Sequence, residues 1–309
     1  MIYTVSLNPA IDKTVTIHNF RIGEVNRISS LRIDAGGKGI NVSKVINSLG
    51  GENCAFGVLG YNGDSIIRKA LDQANIGYVF IPMNGDVRIN LKIIDEENKT
   101  NTDINESGFP VPDEILSKVL NQLANRIVQK DIVVLSGSLP PETKQSIYKD
   151  WTEILQAKGA RIFLDADREP FRSGIEAAPF LIKPNRAELE QLYRRALDTI
   201  DDFVVAGKKL TDKGIKIVVI SLGSDGSLFI SGEQILYAEG LRVPVRSTVG
   251  AGDAMIGSLA LSVEQELPFV QAARMAAAVS SAKVMCSGSN PPDLEQINLL
   301  LDQIVIRSL

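Results

Sequence analysis

The sequence predicts an α/β protein: a doubly wound, mostly parallel sheet flanked by helices, with a small second β-sheet standing off it as a lid. Three observations carry this. Short runs rich in Val, Ile and Leu recur without polar alternation, as strands buried on both faces require. Amphipathic stretches of helical period separate them at the spacing of right-handed crossovers. Two segments, about 13–33 and 87–107, break the rhythm and alternate apolar with polar residues instead.

The strand runs are Tyr3–Leu7, Cys54–Val58, Ile132–Ser136, Ile162–Asp165, Leu181–Lys183 and Ile217–Ser221. Between them lie helical stretches at Gly39–Leu49, Asp64–Asn75, Pro112–Gln129, Glu142–Lys158, Arg186–Arg195 and Asp201–Lys213. Helices around Asp253–Glu266, Pro268–Met285 and Asp293–Ile306 close the chain. In the two exceptional segments, Thr14–Ile17, Arg27–Ile33, Arg88–Asp95 and Asn101–Asn105 read as antiparallel strands, with Asp95–Asn98 at a hairpin tip. Such a sheet has an apolar face that something must cover, so it is expected to be a lid over a site or a dimer contact. No repeat or linker interrupts the chain, and residues 1–309 are expected to form one domain.

Composition narrows the function. Asp and Glu outnumber Lys and Arg by 37 to 33, so the chain has no global attraction for nucleic acid or anionic lipid, and any anion site must be built locally. No apolar run is long enough to span a membrane, and the first residues do not read as a signal peptide, so a reducing cytoplasm is the expected location. Cys54 and Cys286 stand far apart, form no CxxC and read as buried reduced thiols. The lone histidine, His18, lies in a strand-like run and reads as structural or solvent-facing; a Ser-His-Asp hydrolase or a multi-histidine metal centre would have to rest on it alone.

The most informative stretch is Ser247-Thr-Val-Gly-Ala-Gly-Asp253, running into an apolar helix. Gly250, Ala251 and Gly252 fall at a loop-to-helix junction. A helix start offers unpaired N–H groups and the positive end of the macrodipole, and glycine lets a phosphate come close to them. Asp253 falls in the first turn beside that anion pocket. Phosphoryl transfer needs donors around the moving group and a base within reach of the attacking hydroxyl, and this stretch can supply both. Taken alone, Gly-Ala-Gly-Asp reads at least as well as a helix cap with Asp253 settled by the dipole. The GxxxxGK[ST] and GxGxxG patterns are absent, which argues against P-loop and dinucleotide-binding folds.

Two further words accompany it: Ala35-Gly-Gly-Lys-Gly-Ile-Asn-Val-Ser-Lys-Val-Ile-Asn-Ser-Leu-Gly50 and Asn8-Pro-Ala-Ile-Asp12. With these, the sequence resembles the PfkB, or ribokinase-like, carbohydrate kinase family along essentially its whole length. The resemblance implies transfer of phosphate from ATP, with Mg²⁺, to a sugar hydroxyl, with Asp253 as base and Gly250, Ala251 and Gly252 as anion hole. Asp12, Gly37 and Asn41 would hold the sugar. Asp12 is expected at the carboxyl end of the first strand, where ligands of parallel sheets bind, although an Asx-turn after Pro9 would also account for it.

An acidic protein that binds a phosphorylated sugar must concentrate cations, and Lys38, Arg27 and Arg88 are the candidates. Asn90 shares a strand face with Arg88 by period two. Arginines on edge strands can also serve simply to blunt aggregation. The words Gly23–Arg27, Arg88–Lys92, Thr102–Asn105 and Asp165–Glu169 resemble the family branch that acts on fructose 1-phosphate. The branch acting on tagatose 6-phosphate shares much of this pattern, and fructose 6-phosphate stays open as well. Ser138, in Ser136-Gly-Ser-Leu-Pro-Pro141, matches the family as a sugar or phosphate contact. Asn185 and Glu188 resemble an N-x-x-E element that acts on Mg²⁺ mainly through water, and also read as a capping box. Ser221, Gly223, Ser224, Asp225 and Gly226 resemble the nucleotide loop, the glycines giving room near the nucleotide, and Lys183 is expected to reach the ATP phosphates. The resemblance alone implies a monovalent cation near Ser247–Val249 and Ser287. A homodimer through the lid sheet is the expected assembly. A non-catalytic sugar-phosphate sensor on the same fold is the alternative of a different class.

Overall fold

The computed structural model describes all 309 residues. In chain order the first elements are β1 (Ile2–Ser6), β2 (Ala10–Ile17), β3 (Ser30–Gly36), α1 (Lys38–Ser48), β4 (Asn53–Asn62), α2 (Asp64–Gln73), β5 (Gly77–Asp86), β6 (Arg88–Asp95) and β7 (Thr100–Asn105). There follow α3 (Asp113–Ala124), β8 (Ile132–Ser136), α4 (Ile147–Gln156), β9 (Arg161–Asp165), α5 (Arg168–Gly174), β10 (Leu181–Ile182), α6 (Arg186–Tyr193), α7 (Ile200–Thr211) and β11 (Ile217–Ser221). The last are β12 (Gly226–Ser231), β13 (Gln234–Glu239), α8 (Ala251–Glu264), α9 (Phe269–Val284), α10 (Leu294–Leu301) and β14 (Ile306–Ser308).

Ten strands form one sheet in the order β14-β13-β12-β11-β10-β9-β8-β1-β4-β5. From β11 to β5 every pair is parallel. β12, β13 and β14 add an antiparallel flank. The central strands explain themselves: in β8, Val133 and Leu135 enter one apolar cluster while Ile132 and Val134 enter the other. Leu116 of α3, Trp151 of α4 and Phe203 of α7 cover the first face; Val45 of α1, Ile256 of α8 and Val279 of α9 cover the second. From β1 the chain builds outward through β4 and β5 on one side and β8 to β11 on the other. The order therefore reverses between β1 and β8, and the crevice at the carboxyl ends of these strands is where such sheets bind ligands.

The second sheet has the order β3-β2-β6-β7. Its outer pairs are antiparallel, as expected, but the central pair β2–β6 is parallel. The expectation of antiparallel strands throughout fails there because β2 and β6 are joined not by a hairpin but by a crossover through β3, α1, β4, α2 and β5. The hairpin tip is pinned by Asp95, whose carboxylate accepts N–H bonds from Phe20, Glu97 and Asn98 at 3.0–3.1 Å. Register divides the sheet cleanly. Asp12 pairs with Asp34 and Asn90, and Asn90 with Asn105, so the polar side chains share one face. Leu31, Ile33 and Ile104 fall on the other face and are exposed.

Other expectations are corrected. No strand is expected from the sequence at β5 or in the β12–β14 flank, yet both form. The last helix stops at Leu301 rather than Ile306, and Ile306–Ser308 pairs with β13; the β-branched residues Ile304, Val305 and Ile306 favour the extended chain. Cys54 and Cys286 are free but only partly buried. His18 is exposed in the turn after β2. No helix is long and apolar enough to cross a membrane.

Candidate active site

The carboxyl ends of β9, β10 and β11, the N-termini of α1 and α8, and the polar face of the lid enclose a cavity of about 440 Å³. Val249 is its one hydrophobic lining residue, so the cavity suits a polar ligand. Asp12, Gly37, Lys38, Asn41, Arg88, Asn90, Lys183, Asn185, Glu188, Ser221, Gly250, Gly252 and Asp253 all line it. Residues more than 200 positions apart in sequence thus converge on one space.

Asp253 is in the first turn of α8 and only 6% exposed. Gly250, at φ 78°, is the N-cap; that left-handed turn is costly for any residue with a Cβ. Ala254 makes the first i to i−4 bond of the helix, to Gly250 O at 2.8 Å, and the N–H groups of Gly250, Gly252 and Asp253 have no protein acceptor. Ala251 differs from expectation: its N–H turns back to Thr248 O at 3.4 Å, and it does not line the cavity. The open donors are therefore those of residues 250, 252 and 253.

Charge is balanced around this turn. Asp165, at the end of β9, is 2% exposed and meets Lys38 Nζ at 3.4 Å and Lys183 Nζ at 3.5 Å. Burial alone would raise its pKa, but Lys183 and Lys38 hold it below the usual carboxylate range. Asp253 has no such ion pair. Burial, and secondarily the charge of Asp165, push its pKa up to about 6, against the pull of Lys38, the Asn41 bond and Lys183. Asn41 Nδ2 donates to Asp253 Oδ2 at 2.8 Å, which fixes the carboxylate. A buried carboxyl titrating near neutrality, beside open N–H donors, is suited to proton transfer.

Asp12 is not at the end of β1 but inside β2, because Asn8 and Pro9 end the first strand and the chain crosses to the lid. It still faces the cavity. Asn90 Nδ2 donates to its Oδ1 at 2.9 Å, and burial raises its pKa. Gly36 makes room for that carboxylate, since a Cβ there would overlap it. Arg88 donates to Asn8 O at 3.1 Å, Glu106 O at 3.2 Å and Asn90 Oδ1 at 3.3 Å. A smaller cavity of about 140 Å³ adjoins the first through Lys38 and Arg88 and is lined by Ser136, Gly137 and Ser138.

Asn185 and Glu188 form a full capping box on α6, Glu188 N to Asn185 Oδ1 at 2.9 Å and Asn185 N to Glu188 Oε2 at 2.8 Å. Glu188 Oε1 is left without a bond. No three His, Cys, Asp or Glu side chains cluster to hold a metal by themselves.

Two sets of expected residues lie elsewhere. Arg27 is exposed in the loop before β3 and does not line either cavity; Asn26 ties that loop to Arg21 and Glu24. Gly223, Ser224 and Asp225 form an exposed-side 3₁₀ turn outside the cavity. The space at Gly226 is filled by the Ala238 carbonyl of β13, so this glycine serves sheet packing. The important residue missed is Asp165. It ends a buried strand at the carboxyl edge, the same signal on which Asp12 is expected to hold the sugar.

Buried acid, open helix donors and paired lysines beneath a polar roof form a cavity suited to phosphoryl transfer to a small polar acceptor. The chain belongs to the PfkB family: the pfkB family carbohydrate kinase pattern matches residues 5–297. It is a carbohydrate kinase. It is 32% identical to the 1-phosphofructokinase of Haemophilus influenzae, across 99% of this chain and 97% of that protein. It is 34% identical to the 1-phosphofructokinase of Escherichia coli K12, across 97% and 96% of the two chains. Its fold is similar to that of Escherichia coli phosphofructokinase-2 solved in complex with potassium, with a TM-score of 0.92, 26% identity and 98% of each chain covered.

Proposed function

We propose that this kinase transfers the γ-phosphoryl group of ATP to the 6-hydroxyl of D-fructose 1-phosphate, giving fructose 1,6-bisphosphate and ADP. The observation that carries this is Asp253, a buried carboxylate beside the open N–H groups that start α8. In its ionised form it accepts the hydroxyl proton as the sugar oxygen bonds to the γ-phosphorus and the bond to the β-bridging oxygen breaks. The N–H groups of residues 250 and 252, with Lys183, meet the charge on the moving group. Asp12, Asn90 and Asn41 hold the sugar hydroxyls. The phosphate already on the sugar lies toward the smaller cavity, where Arg88, Lys38 and Ser138 offer donors. The lid roofs the reacting atoms and excludes water, which limits idle ATP hydrolysis.

Asn185 and Glu188 fit a magnesium ion held largely through water, since Glu188 keeps a free carboxylate oxygen and no protein cage is present. An ion held there would supply positive charge beside the phosphate oxygens. The lid's outward apolar face, with Leu31, Ile33 and Ile104, is suited to a second copy of this chain; a relative, Escherichia coli phosphofructokinase-2, has a tetrameric inhibited form. Sedimentation at micromolar concentration should give an oligomer, and a monomer there would remove the lid contact.

ADP release measured as kcat/KM across fructose 1-phosphate, tagatose 6-phosphate and fructose 6-phosphate tests the substrate. The first should lead by about tenfold or more, the scale set by one misplaced charged contact. A lead for either other sugar would reassign the substrate, and no release with any of them would favour a sensor.

A further inference from the structure

One buried charge has no part in the chemistry above. Lys283, in the last turn of α9, is 1% exposed, and its Nζ makes a single hydrogen bond, to Gly288 O at 2.7 Å. It does not line the cavity. Its head lies instead against the N-cap of α8: a Cβ placed on Gly250 would be 3.0 Å from Lys283 Cε, 3.7 Å from its Nζ and 3.8 Å from Asp253 Oδ2. The backbone around it is tied to α9. Arg246 and Ser247 donate N–H bonds to Val284 O at 2.8 and 3.1 Å, and Ser280 Oγ donates to Ala251 O at 3.1 Å. Lys283 is therefore the bolt between the 246–253 segment and the loop that carries Ser287 and Gly288.

That is the place where the family resemblance implies a monovalent cation, between Ser247–Val249 and Ser287. The residues present do not fit one. The Gly288 carbonyl is already committed to an ammonium, and an alkali ion brought beside it would meet a like charge at low dielectric. Burial of this kind is unfavourable for a lysine and lowers its pKa, with Cys286 and Asp253 acting in the opposite direction. A group held there against that cost is expected to have a use.

We propose that the Lys283 ammonium is a built-in replacement for a monovalent cation, holding the Ser247–Asp253 turn in its phosphate-binding shape and making this kinase independent of added potassium or sodium. The proposal rests on the kinase reading, and two independent readouts separate them. In thermal unfolding, exchanging tetramethylammonium for potassium at equal ionic strength should leave the unmutated protein's Tm unchanged. Lys283→Met, which keeps the length and removes the charge, should have a lower Tm that potassium restores in part and tetramethylammonium does not. In ADP release, the unmutated protein should change less than twofold on adding potassium. The variant should lose about tenfold or more in tetramethylammonium, as expected for removing one buried charge near the reacting phosphate, and recover with potassium. If no sugar phosphate is turned over, the unfolding arm still decides. If Lys283→Met does not fold, the unmutated protein's response to potassium still decides. Activation or stabilisation of the unmutated protein by potassium would overturn the proposal, as would a variant whose losses no alkali cation repairs, which would make Lys283 only a helix cap.

Discussion

Asp253→Asn should make the protein more stable and nearly inactive. Folding moves the pKa of Asp253 from 3.8 to about 6. That is about two units, or roughly 3 kcal/mol at 1.36 kcal/mol per unit. Between pH 3.8 and 6 the folded chain holds the proton more tightly than the unfolded one, so this residue's contribution falls as pH rises through that window and is flat above it. Asparagine carries no charge at any pH. It should add almost nothing below the unfolded pKa, about half its full effect near pH 5, and about 1–3 kcal/mol at pH 8, the upper figure applying if its amide hydrogens find acceptors. The Asn41 bond to the side-chain oxygen at 2.8 Å can persist, so sugar binding should hold. Turnover should drop by about two orders of magnitude or more, the size of a general-base effect. Urea unfolding at pH 5 and pH 8, with kcat measured on the same preparations, checks both halves. A variant less stable than its parent at pH 8, or one keeping more than a tenth of kcat, would refute the reasoning.

Other substitutions test the surrounding shell. Asn41→Ala removes a bond that favours the ionised form of Asp253, so the acid limb of the kcat profile should move to higher pH, read from turnover between pH 5 and 9. Arg88→Ala should raise KM for a phosphorylated sugar by about tenfold or more and affect the unphosphorylated sugar far less; equal losses would contradict a phosphate contact. Gly252→Ala places a Cβ 2.9 Å from Lys183 Nζ, so the lysine head must move; KM for ATP should rise while Tm changes little.

Much of the fold was legible because buried parallel strands leave a plain mark. Ile132–Ser136 and Ile217–Ser221 were legible to the residue from runs of Ile, Val and Leu closed by a serine. The lid was legible from period two, but its central pairing was not, since strand direction depends on which segments meet after a crossover. The Asp253 turn was readable because glycine at a helix start and an acid in the first turn are local features. Asp165 was missed because its role depends on Lys38, 127 residues away, as much as on Lys183. The positions of Arg27 and Gly226, outside the cavity, were not legible for a related reason: a residue type suited to phosphate or to a close approach does not reveal which neighbour it meets. For Arg27 that is solvent, and for Gly226 it is the Ala238 carbonyl.

The central claim is tested most directly by the distance from the Asp253 carboxylate to the accepting hydroxyl, in a crystal with fructose 1-phosphate and a non-hydrolysable ATP analogue. A separation of about 2.6–3.2 Å, with the terminal phosphate over the Gly252 N–H, is the predicted result. A sugar seated away from Asp253, or a nucleotide whose phosphates do not approach the start of α8, would contradict it.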